Sequence, residues 1–369
     1  MTDMLKKRGR PKKILTEVQK TVEQVKETVS KPIEKNASVD FLSTGIDLLD
    51  LVLGGGIPKG KIFNLVGDKS SGKTLVAMEF IAYCKKLLGK KFSWFYDDAE
   101  AGFSFDPKKL YGFDIMEDNQ TFSNTIEEFN ENVKKKVEEV RKGESFIYTL
   151  DSLDSLTSSQ EIKRDEERTK QIEAAEEKGE DAKLKGTYGM EKQKMLSEFF
   201  RLRVQDIKNK DAVIIVISQV RANIGVMFGE KQIRTGGKAL DFYASQVVWL
   251  AEVEKHYKKD RVVGITIKVK CKKNKVGLPF RECFLDVLFD YGIDNTASNI
   301  KFLYDLLTPL GKFSKKRIVW DGKEYSFDGL IDHIEKNNLE EELSKRVKDK
   351  WMQIEEDISS KDRKPRWQE

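Results

Sequence analysis

The sequence contains very little histidine, cysteine or proline. Two histidines, three cysteines and seven prolines occur among 369 residues. The cysteines, at positions 84, 271 and 283, are far apart and form no close Cys or His spacing of the kind that binds zinc. An odd number of scattered thiols also argues against a disulfide framework, so we expect a reducing cytoplasm.

Long apolar runs are missing as well. No run approaches the roughly 20 residues that are needed to cross a bilayer. The basic N-terminus is not followed by the apolar core of a secretion signal. We therefore predict a cytoplasmic protein with no membrane partner.

Neither sign of charge dominates the chain. Lys and Arg number 67 and Asp and Glu 62, which leaves a net charge of +5, too small to indicate a nucleic-acid partner by itself. Hydrophobic residues make up 39% and aromatic residues 10%, which is typical of a globular chain with one large domain and smaller ones. Local clusters of charge are therefore more informative than the total.

The densest basic cluster is KKRGRPKK, residues 6–13, with six cations around one Gly and one Pro. Such a segment cannot form a core, so we predict a basic arm over residues 1–13. Its centre, RGRP, places Arg8 and Arg10 as in an AT-hook, which inserts arginines into the minor groove of A/T-rich duplex DNA. A cationic tail that attracts DNA without sequence preference is the equally open alternative.

Residues 14–39 follow the arm and carry a helical apolar stripe. Four valines between Val18 and Val29 are spaced by four, three and four residues, and the pattern ends at Pro32. This spacing predicts an amphipathic helix whose stripe packs on its own subunit or on another copy of the chain.

From residue 40 to residue 295, short apolar runs alternate with longer helical patterns. This alternation predicts an α/β domain around a mainly parallel, twisted sheet. The predicted strands are residues 62–66, 92–96, 146–150, 213–217 and 247–250, with 264–271 and 280–289 closing the sheet.

Two segments depart from this pattern. Residues 161–186 are charged on all sides, which predicts a solvated helix or a disordered insertion. Residues 296–358 predict a small α+β C-terminal domain with helices and a hairpin, and residues 359–369 a polar tail.

The segment GDKSSGKT follows a predicted strand and precedes a helical pattern, as a phosphate-binding P-loop does. Its glycines let backbone N–H groups face the phosphates, Lys73 reaches the β- and γ-phosphates, and Thr74 offers a hydroxyl to Mg²⁺. The sequence therefore predicts ATP and Mg²⁺ as cofactors; a glycine-rich turn without nucleotide fits this context poorly. The candidate nucleotide ligands are Gly67, Asp68, Lys69, Ser70, Ser71, Gly72, Lys73 and Thr74.

Acidic side chains follow two other predicted strands. FIYTLDS ends near Asp151, and FSWFYDDAE ends with Asp97, Asp98 and Glu100. Because ligands bind outside the carboxyl ends of such strands, we expect these groups to converge on the P-loop, where they would hold Mg²⁺ and orient water. Each carboxylate taken alone is more often a solvated strand end or a helix cap.

Several segments together resemble the bacterial RecA-type homologous recombinases. In order, they are STGIDLLDLVLGGGIPKG, GDKSSGKT, DDAEAGFSFDP, LDSLDSLT, SQVRANIGVMFGEKQIRTGGKALDFYAS and KKNKVGLPF. The resemblance covers about residues 40–294 strongly and the C-terminal region weakly. It implies a RecA-like ATPase core that forms a helical filament on single-stranded DNA and exchanges strands with homologous duplex DNA.

The resemblance also implies roles for individual residues. Glu100 matches the carboxylate that activates the attacking water, and Asp151 the Walker B acid, which with Thr74 serves the metal. Gln219 matches the residue that senses the γ-phosphate. Lys273 and Lys275 match a pair that reaches the ATP of a neighbouring subunit, which would make hydrolysis depend on assembly.

A second DNA-binding loop is implied between residues 220 and 237. There Met227 and Phe228 stand among glycines and cations, and the resemblance makes them wedges between bases while basic and backbone groups hold phosphates. Burial inside a closed loop is the alternative. The candidate DNA-binding residues are Arg221, Asn223, Ile224, Gly225, Val226, Met227, Phe228, Gly229, Lys231, Arg234, Thr235, Gly236 and Gly237.

The sequence departs from the family pattern at two positions near the nucleotide. Ser218 stands where the family has Asn, and Lys108 and Lys109 stand where a Tyr stacks on adenine, with Tyr111 as a candidate substitute. A ring-shaped helicase or translocase and a recombination mediator that binds ATP and DNA without strand exchange are the alternative functions. Further expected partners are single-strand-binding and loader proteins, in a bacterial cell or a phage-infected host.

Overall fold

A computed structural model describes residues 39–102, 106–116, 119–176, 190–222, 232–234, 237–314 and 316–360. The predicted basic arm and the valine-striped helix lie outside the described residues, as does the tail from residue 361. The described residues from Asp40 onward belong to one compact unit.

The described chain contains ten α-helices and fourteen strands. The helices are α1 (Asp47–Leu53), α2 (Lys73–Leu88), α3 (Pro107–Tyr111), α4 (Ile126–Glu139), α5 (Ser159–Glu176), α6 (Met190–Asn209), α7 (Gly237–Tyr243), α8 (Asn295–Leu303), α9 (Phe327–Lys336) and α10 (Glu340–Asp357). The strands are β1 (Phe41–Leu42), β2 (Ile57–Pro58), β3 (Ile62–Gly67), β4 (Phe92–Asp97), β5 (Gln120–Thr121), β6 (Ser145–Leu150), β7 (Val213–Ala222), β8 (Gln232–Arg234), β9 (Gln246–Lys258), β10 (Arg261–Asn274), β11 (Glu282–Leu288), β12 (Gly292–Asp294), β13 (Ile318–Trp320) and β14 (Lys323–Tyr325).

Ten of these strands form one sheet in the order β12-β11-β10-β9-β3-β7-β6-β4-β5, with β8 paired to β7. The pairs from β9 through β3, β7, β6 and β4 to β5 are parallel, and β9 to β12 are antiparallel. Strands β3 and β6 are buried along their whole length, as expected for parallel strands covered on both faces. The prediction of an α/β fold with a mainly parallel sheet is therefore confirmed.

Two hydrophobic clusters cover the two faces of the sheet. The first joins the sheet to α1, α2 and the C-terminal elements, through residues such as Phe63, Phe80 and Trp320. The second joins it to α4 and α6, through residues such as Phe129 and Phe199. Side chains alternate between the two clusters along the parallel strands β3, β4, β6 and β7, because successive strand residues point to opposite faces.

The C-terminal elements share the first cluster. Buried side chains of β13, α9 and α10, among them Trp320, Leu330 and Val347, belong to the same apolar cluster as the sheet. The predicted hairpin is the antiparallel pair β13 and β14. The domain boundary near residue 296 stays a prediction.

The charged insertion begins as a helix. Strand β6 leads through a short turn into α5, whose described side chains are mostly exposed, as its charge pattern predicts. Residues 177–186 lie outside the described part. Within that described part, no helix is long and apolar enough to cross a membrane.

Candidate nucleotide-binding site

The P-loop joins the end of β3 to the start of α2 and has a backbone that glycine makes possible. A Cβ on Gly67 would collide with Ser71 Oγ and would lie 2.8 Å from the carbonyl oxygen of Leu250. Gly72 has a φ of 82°, a left-handed conformation that side chains disfavour. The loop therefore turns tightly and leads its backbone into the N-terminus of α2, a favourable position for phosphate.

Lys73, the first residue of α2, is folded over this loop. Its Nζ donates a hydrogen bond of 2.7 Å to the carbonyl oxygen of Asp68, and only 9% of the residue is exposed. Burial lowers the pKa of Lys73, and the nearby carboxylates of Asp151 and Glu100 partly offset that effect. The cation is thus held at the loop, where it can contact a phosphate.

Thr74 and Asp151 form the next layer of the site. Thr74 Oγ1 donates to Asp151 Oδ2 at 2.6 Å, and Tyr96 donates its hydroxyl to the same oxygen at 2.7 Å. Burial raises the pKa of Asp151, while both hydrogen bonds lower it. A hydroxyl oxygen and a carboxylate beside a phosphate loop are hard oxygen donors of the kind that Mg²⁺ uses, so these residues fit the expected metal.

Glu100 and Gln219 meet beside these residues. Gln219 Nε2 donates to Glu100 Oε1 at 2.9 Å, and the backbone N–H of Gln219 donates to Asp154 Oδ2 at 2.7 Å. They are brought together because β4, β6 and β7 are parallel neighbours whose carboxyl ends share one edge of the sheet. Asp154 has no distinguishing signal in the sequence.

Asp97 does not converge on the P-loop, contrary to the expectation for the acidic cluster after β4. Its carboxylate accepts hydrogen bonds from Ser123 Oγ at 2.6 Å and from the Tyr148 hydroxyl at 2.7 Å. The reason is the alternation of the strand, which points Tyr96 to the face with the P-loop and Asp97 to the other.

The departure at Ser218 has a structural counterpart on the neighbouring strand. Asn64 Nδ2 donates to Ser218 Oγ at 3.0 Å and to the carbonyl oxygen of Val216 at 2.7 Å. A buried amide on β3 thus holds the residue that precedes Gln219. Sequence reasoning missed Asn64, because its partner is set by the pairing of β3 with β7.

Near the predicted adenine position, Lys108 and Lys109 are exposed. Tyr111 is partly buried against the first hydrophobic cluster, with its hydroxyl oxygen buried. Only part of its ring is therefore open to a base.

Lys273 and Lys275 lie toward the opposite end of the sheet from the P-loop of their own subunit. Asn274 pairs with Gln246, which pairs with Phe63 near the start of β3, whereas the P-loop follows Gly67 at its end. Four strand residues separate these levels, a distance of about 13 Å. The two lysines therefore lie at the edge of the sheet away from their own nucleotide loop.

Both lysines cap α7. Lys273 Nζ donates to the carbonyl oxygen of Asp241, and Lys275 Nζ donates to that of Phe242 at 2.7 Å. Cations are favourable at a helix C-terminus, where carbonyl groups lack partners within the helix. Burial, with the neighbouring Lys275 charge next, lowers the pKa of Lys273 to about 8.

The predicted DNA loop lies in the chain between β7 and β8. These strands pair antiparallel, with Val220 opposite Arg234, so that residues 223–231 connect them. The Arg234 guanidinium forms an ion pair with Asp241 of α7. Arg221 lies in β7 and Gly237 at the start of α7. The remaining candidates lie outside the described residues: Arg8, Arg10, residues 223–229, Lys231, Thr235 and Gly236.

The fold and the loop at the end of β3 define a P-loop nucleotide-binding protein of the α/β class. A family model described as the RecA N-terminal domain matches residues 12–294. Protein RecA of Caulobacter sp. (strain K31) is 32% identical over 281 residues, which are 74% of this chain and 71% of that protein. Protein RecA of Acinetobacter baylyi is 30% identical over 304 residues, or 82% of this chain and 77% of that protein.

Protein RecA of Allochromatium vinosum is 31% identical over 293 residues, 79% of this chain and 75% of that protein. The chain belongs to the RecA family, which confirms the predicted resemblance. It is a RecA-type recombinase of DNA recombination and repair.

Proposed function

We propose that this RecA-type protein is a DNA-dependent ATPase that couples ATP hydrolysis to strand exchange. It would form a helical filament on single-stranded DNA and pair it with homologous duplex DNA. The observation that carries this proposal is the 2.9 Å hydrogen bond between Glu100 and Gln219. It joins the carboxylate beside the P-loop to the strand that continues into the predicted DNA loop.

In the proposed hydrolysis, each side chain has a separate task. The P-loop amides and Lys73 hold the phosphates, while Glu100 orients the attacking water and accepts its proton. Thr74 and Asp151 would hold Mg²⁺, which offsets the charge on the β- and γ-phosphate oxygens. Gln219 would respond to the γ-phosphate, because its side chain contacts Glu100. Its backbone belongs to β7, so a movement of Gln219 would also move the strand that leads to the predicted DNA loop.

We assign DNA binding to residues 220–237 and to the basic arm. Basic and backbone groups of the loop would hold phosphates, and Met227 and Phe228 would separate bases. In the free subunit Arg234 is paired with Asp241, so its use on DNA would require that ion pair to open. Arg8 and Arg10 would add contacts to duplex DNA.

Assembly would complete the catalytic site. The positions of Lys273 and Lys275 at the far edge of the sheet support a role on the ATP of a neighbouring subunit rather than on their own. Extra cations at the γ-phosphate stabilise the charge that develops there. ATP would thus favour the assembled filament by binding at the interface, and hydrolysis would release it. We place this activity in the cytoplasm of a bacterial or phage-infected cell, alongside single-strand-binding and loader proteins.

The test is ATP turnover with and without single-stranded DNA, combined with electron microscopy of the same samples. We expect strong stimulation by DNA together with helical filaments, and loss of turnover in Lys73→Ala, which loses the contact to the phosphates. Rings that unwind duplex DNA would point to a helicase, and DNA binding without homologous pairing to a mediator. A rate of ATP hydrolysis that is the same with and without single-stranded DNA would contradict the proposal.

A further inference from the structure

Two buried tyrosines on neighbouring strands point at aspartates on each other's strand. Tyr96 of β4 donates its hydroxyl to Asp151 Oδ2, at the end of β6, at 2.7 Å. Tyr148 of β6 donates its hydroxyl to Asp97 Oδ2, on β4, also at 2.7 Å. Both tyrosines are 0% exposed. The two pairs lie on opposite faces of the sheet, because Tyr96 belongs to the first hydrophobic cluster and Tyr148 to the second.

Each of the two aspartates accepts a second hydroxyl hydrogen bond, so the Tyr96–Asp151 and Tyr148–Asp97 pairs are similar. Asp151 Oδ2 also accepts from Thr74 Oγ1 at 2.6 Å, and Asp97 Oδ2 also accepts from Ser123 Oγ at 2.6 Å. Each buried carboxylate therefore has two hydroxyl donors on one oxygen. The two sites differ in the neighbour, because Thr74 belongs to the P-loop whereas Ser123 lies between β5 and α4. They also differ at Oδ1, because the Ser123 backbone N–H donates to Asp97 Oδ1 at 2.8 Å.

We propose that Tyr96 is a positioning residue for Mg²⁺, acting through Asp151 and Thr74. This inference rests on the proposed ATP and Mg²⁺ site. Two donors on Oδ2 restrain the carboxylate and would leave Oδ1 to accept from the water shell of a bound metal. The hydroxyl proton of Thr74 is donated to Asp151, so the oxygen of Thr74 would keep lone pairs for the metal.

Removal of the Tyr96 hydroxyl would loosen this arrangement. The terminal torsion of an Asp side chain is broad, so one remaining hydroxyl holds the carboxylate less firmly than two. Removal of a group that hydrogen-bonds to a metal ligand typically lowers metal affinity about 10- to 100-fold. Tyr96 is well suited to this task, because its hydroxyl is enclosed by the sheet and has Asp151 as its acceptor.

The competing explanation is that the Tyr96 hydroxyl only stabilises the fold. Tyr148→Phe is the control for that explanation. Removal of the Tyr148 hydroxyl takes a tyrosine hydrogen bond of the same length from another buried aspartate, Asp97, on the face away from the P-loop. A general loss of stability should therefore be similar in Tyr96→Phe and Tyr148→Phe. An effect on metal binding should be specific to Tyr96→Phe.

The experiment measures the affinity of the full-length protein for a fluorescent ADP analogue, first in excess EDTA and then with increasing Mg²⁺. The Mg²⁺ gain is the factor by which Mg²⁺ increases the affinity for the analogue. We expect Tyr96→Phe to bind the metal-free analogue with wild-type affinity and to have a Mg²⁺ gain that is roughly 10-fold smaller. Tyr148→Phe should keep both values. In an Asp151→Asn background, Tyr96→Phe should have no further effect, because the carboxylate through which it acts is gone.

Three results would overturn the inference: an unchanged Mg²⁺ gain in Tyr96→Phe, an equal loss in Tyr148→Phe, or an equal loss with and without metal. A wild-type protein that binds no nucleotide would instead overturn the proposed function. If Tyr96→Phe does not fold, 3-fluorotyrosine at position 96 gives the same shape with a stronger donor. It should increase the Mg²⁺ gain, and an unchanged gain would overturn the inference.

Discussion

At the scale of single residues, burial changes the chemistry of several acids, and Glu79 is the clearest case away from the P-loop. It lies in the middle of α2, near Gly292, and burial raises its pKa to about 7 from an ordinary value of 4.5. When a carboxyl group has a higher pKa in the folded protein than in the unfolded chain, its contribution to stability is fully present at pH values below the unfolded pKa. That contribution is lost as the pH rises from about 4.5 to about 7.

Glu79→Gln should therefore stabilise the protein above pH 7 relative to its effect at pH 5. The neutral amide does not have to lose a proton inside the fold, and the difference should approach roughly 3 kcal/mol. Denaturant unfolding at pH 5, 6, 7 and 8 measures it. Glu341→Gln, at an exposed position of α10, controls for the loss of one charge. The same effect of Glu79→Gln at every pH would contradict the assignment.

Some residues of the site can be predicted from the sequence and others cannot. Gly67, Lys73 and Thr74 form a contiguous motif whose spacing is itself the signal. Tyr96 and Asn64 have no such spacing, because each acts on a residue of a neighbouring strand. Proximity in the sequence groups Asp97 with the site, but strand alternation turns its side chain to the opposite face of the sheet.

At the scale of elements, the attachment of α8 to the sheet depends on a buried ion pair. Lys301 Nζ lies 2.5 Å from Asp286 Oδ2, and the two side chains are 5% and 4% exposed. Thr266 also donates to Asp286 at 2.7 Å, and Lys301 lies over the rings of Phe313 and Phe327. The lysine thus joins β11 to the C-terminal elements.

Lys301→Ala should lower the free energy of unfolding by about 3 kcal/mol, because it removes the lysine partner of the buried Asp286. Urea denaturation followed by circular dichroism would measure the loss. The matched control is Lys336→Ala, which removes an exposed pair with Asp332 and should change stability by less than about 1 kcal/mol. Equal effects of the two substitutions would show that Lys301 does not anchor α8.

The sequence predicted seven strands of the central sheet, but neither their order in the sheet nor all of their lengths. Strand β9 runs over Gln246–Lys258 and β10 over Arg261–Asn274, well beyond the apolar runs at residues 247–250 and 264–271. Residues 251–258 of β9 are mostly exposed and polar, so they lack the apolar run that marks a buried strand. They are a strand because they pair with β10.

At the scale of the whole molecule, the lysine pair and the P-loop lie at different ends of the sheet, which predicts complementation between subunits. Lys73→Ala keeps Lys273 and Lys275 but would lack the proposed contact to the phosphates. Lys273→Ala/Lys275→Ala has the opposite defect. In a head-to-tail assembly of equal amounts, about a quarter of interfaces would join an intact P-loop to an intact lysine pair.

We therefore expect the mixture to hydrolyse ATP on single-stranded DNA faster than the sum of the two variants alone. The control is a chain that carries all three substitutions, mixed with Lys73→Ala. That mixture contains no intact P-loop and should show no rescue. A first mixture that only adds the two residual rates would mean that the lysines do not act between subunits.

The sequence by itself determined the α/β class, the P-loop, the carboxylates at strand ends and the family. These follow from local periodicity and from motifs whose residues are close together in the chain. The tertiary structure alone decided which side chains meet: Tyr96 with Asp151, Asn64 with Ser218, and the lysine pair with α7. Those contacts depend on strand order, register and the face to which each residue points, and a one-residue change of register would reverse every one of those faces.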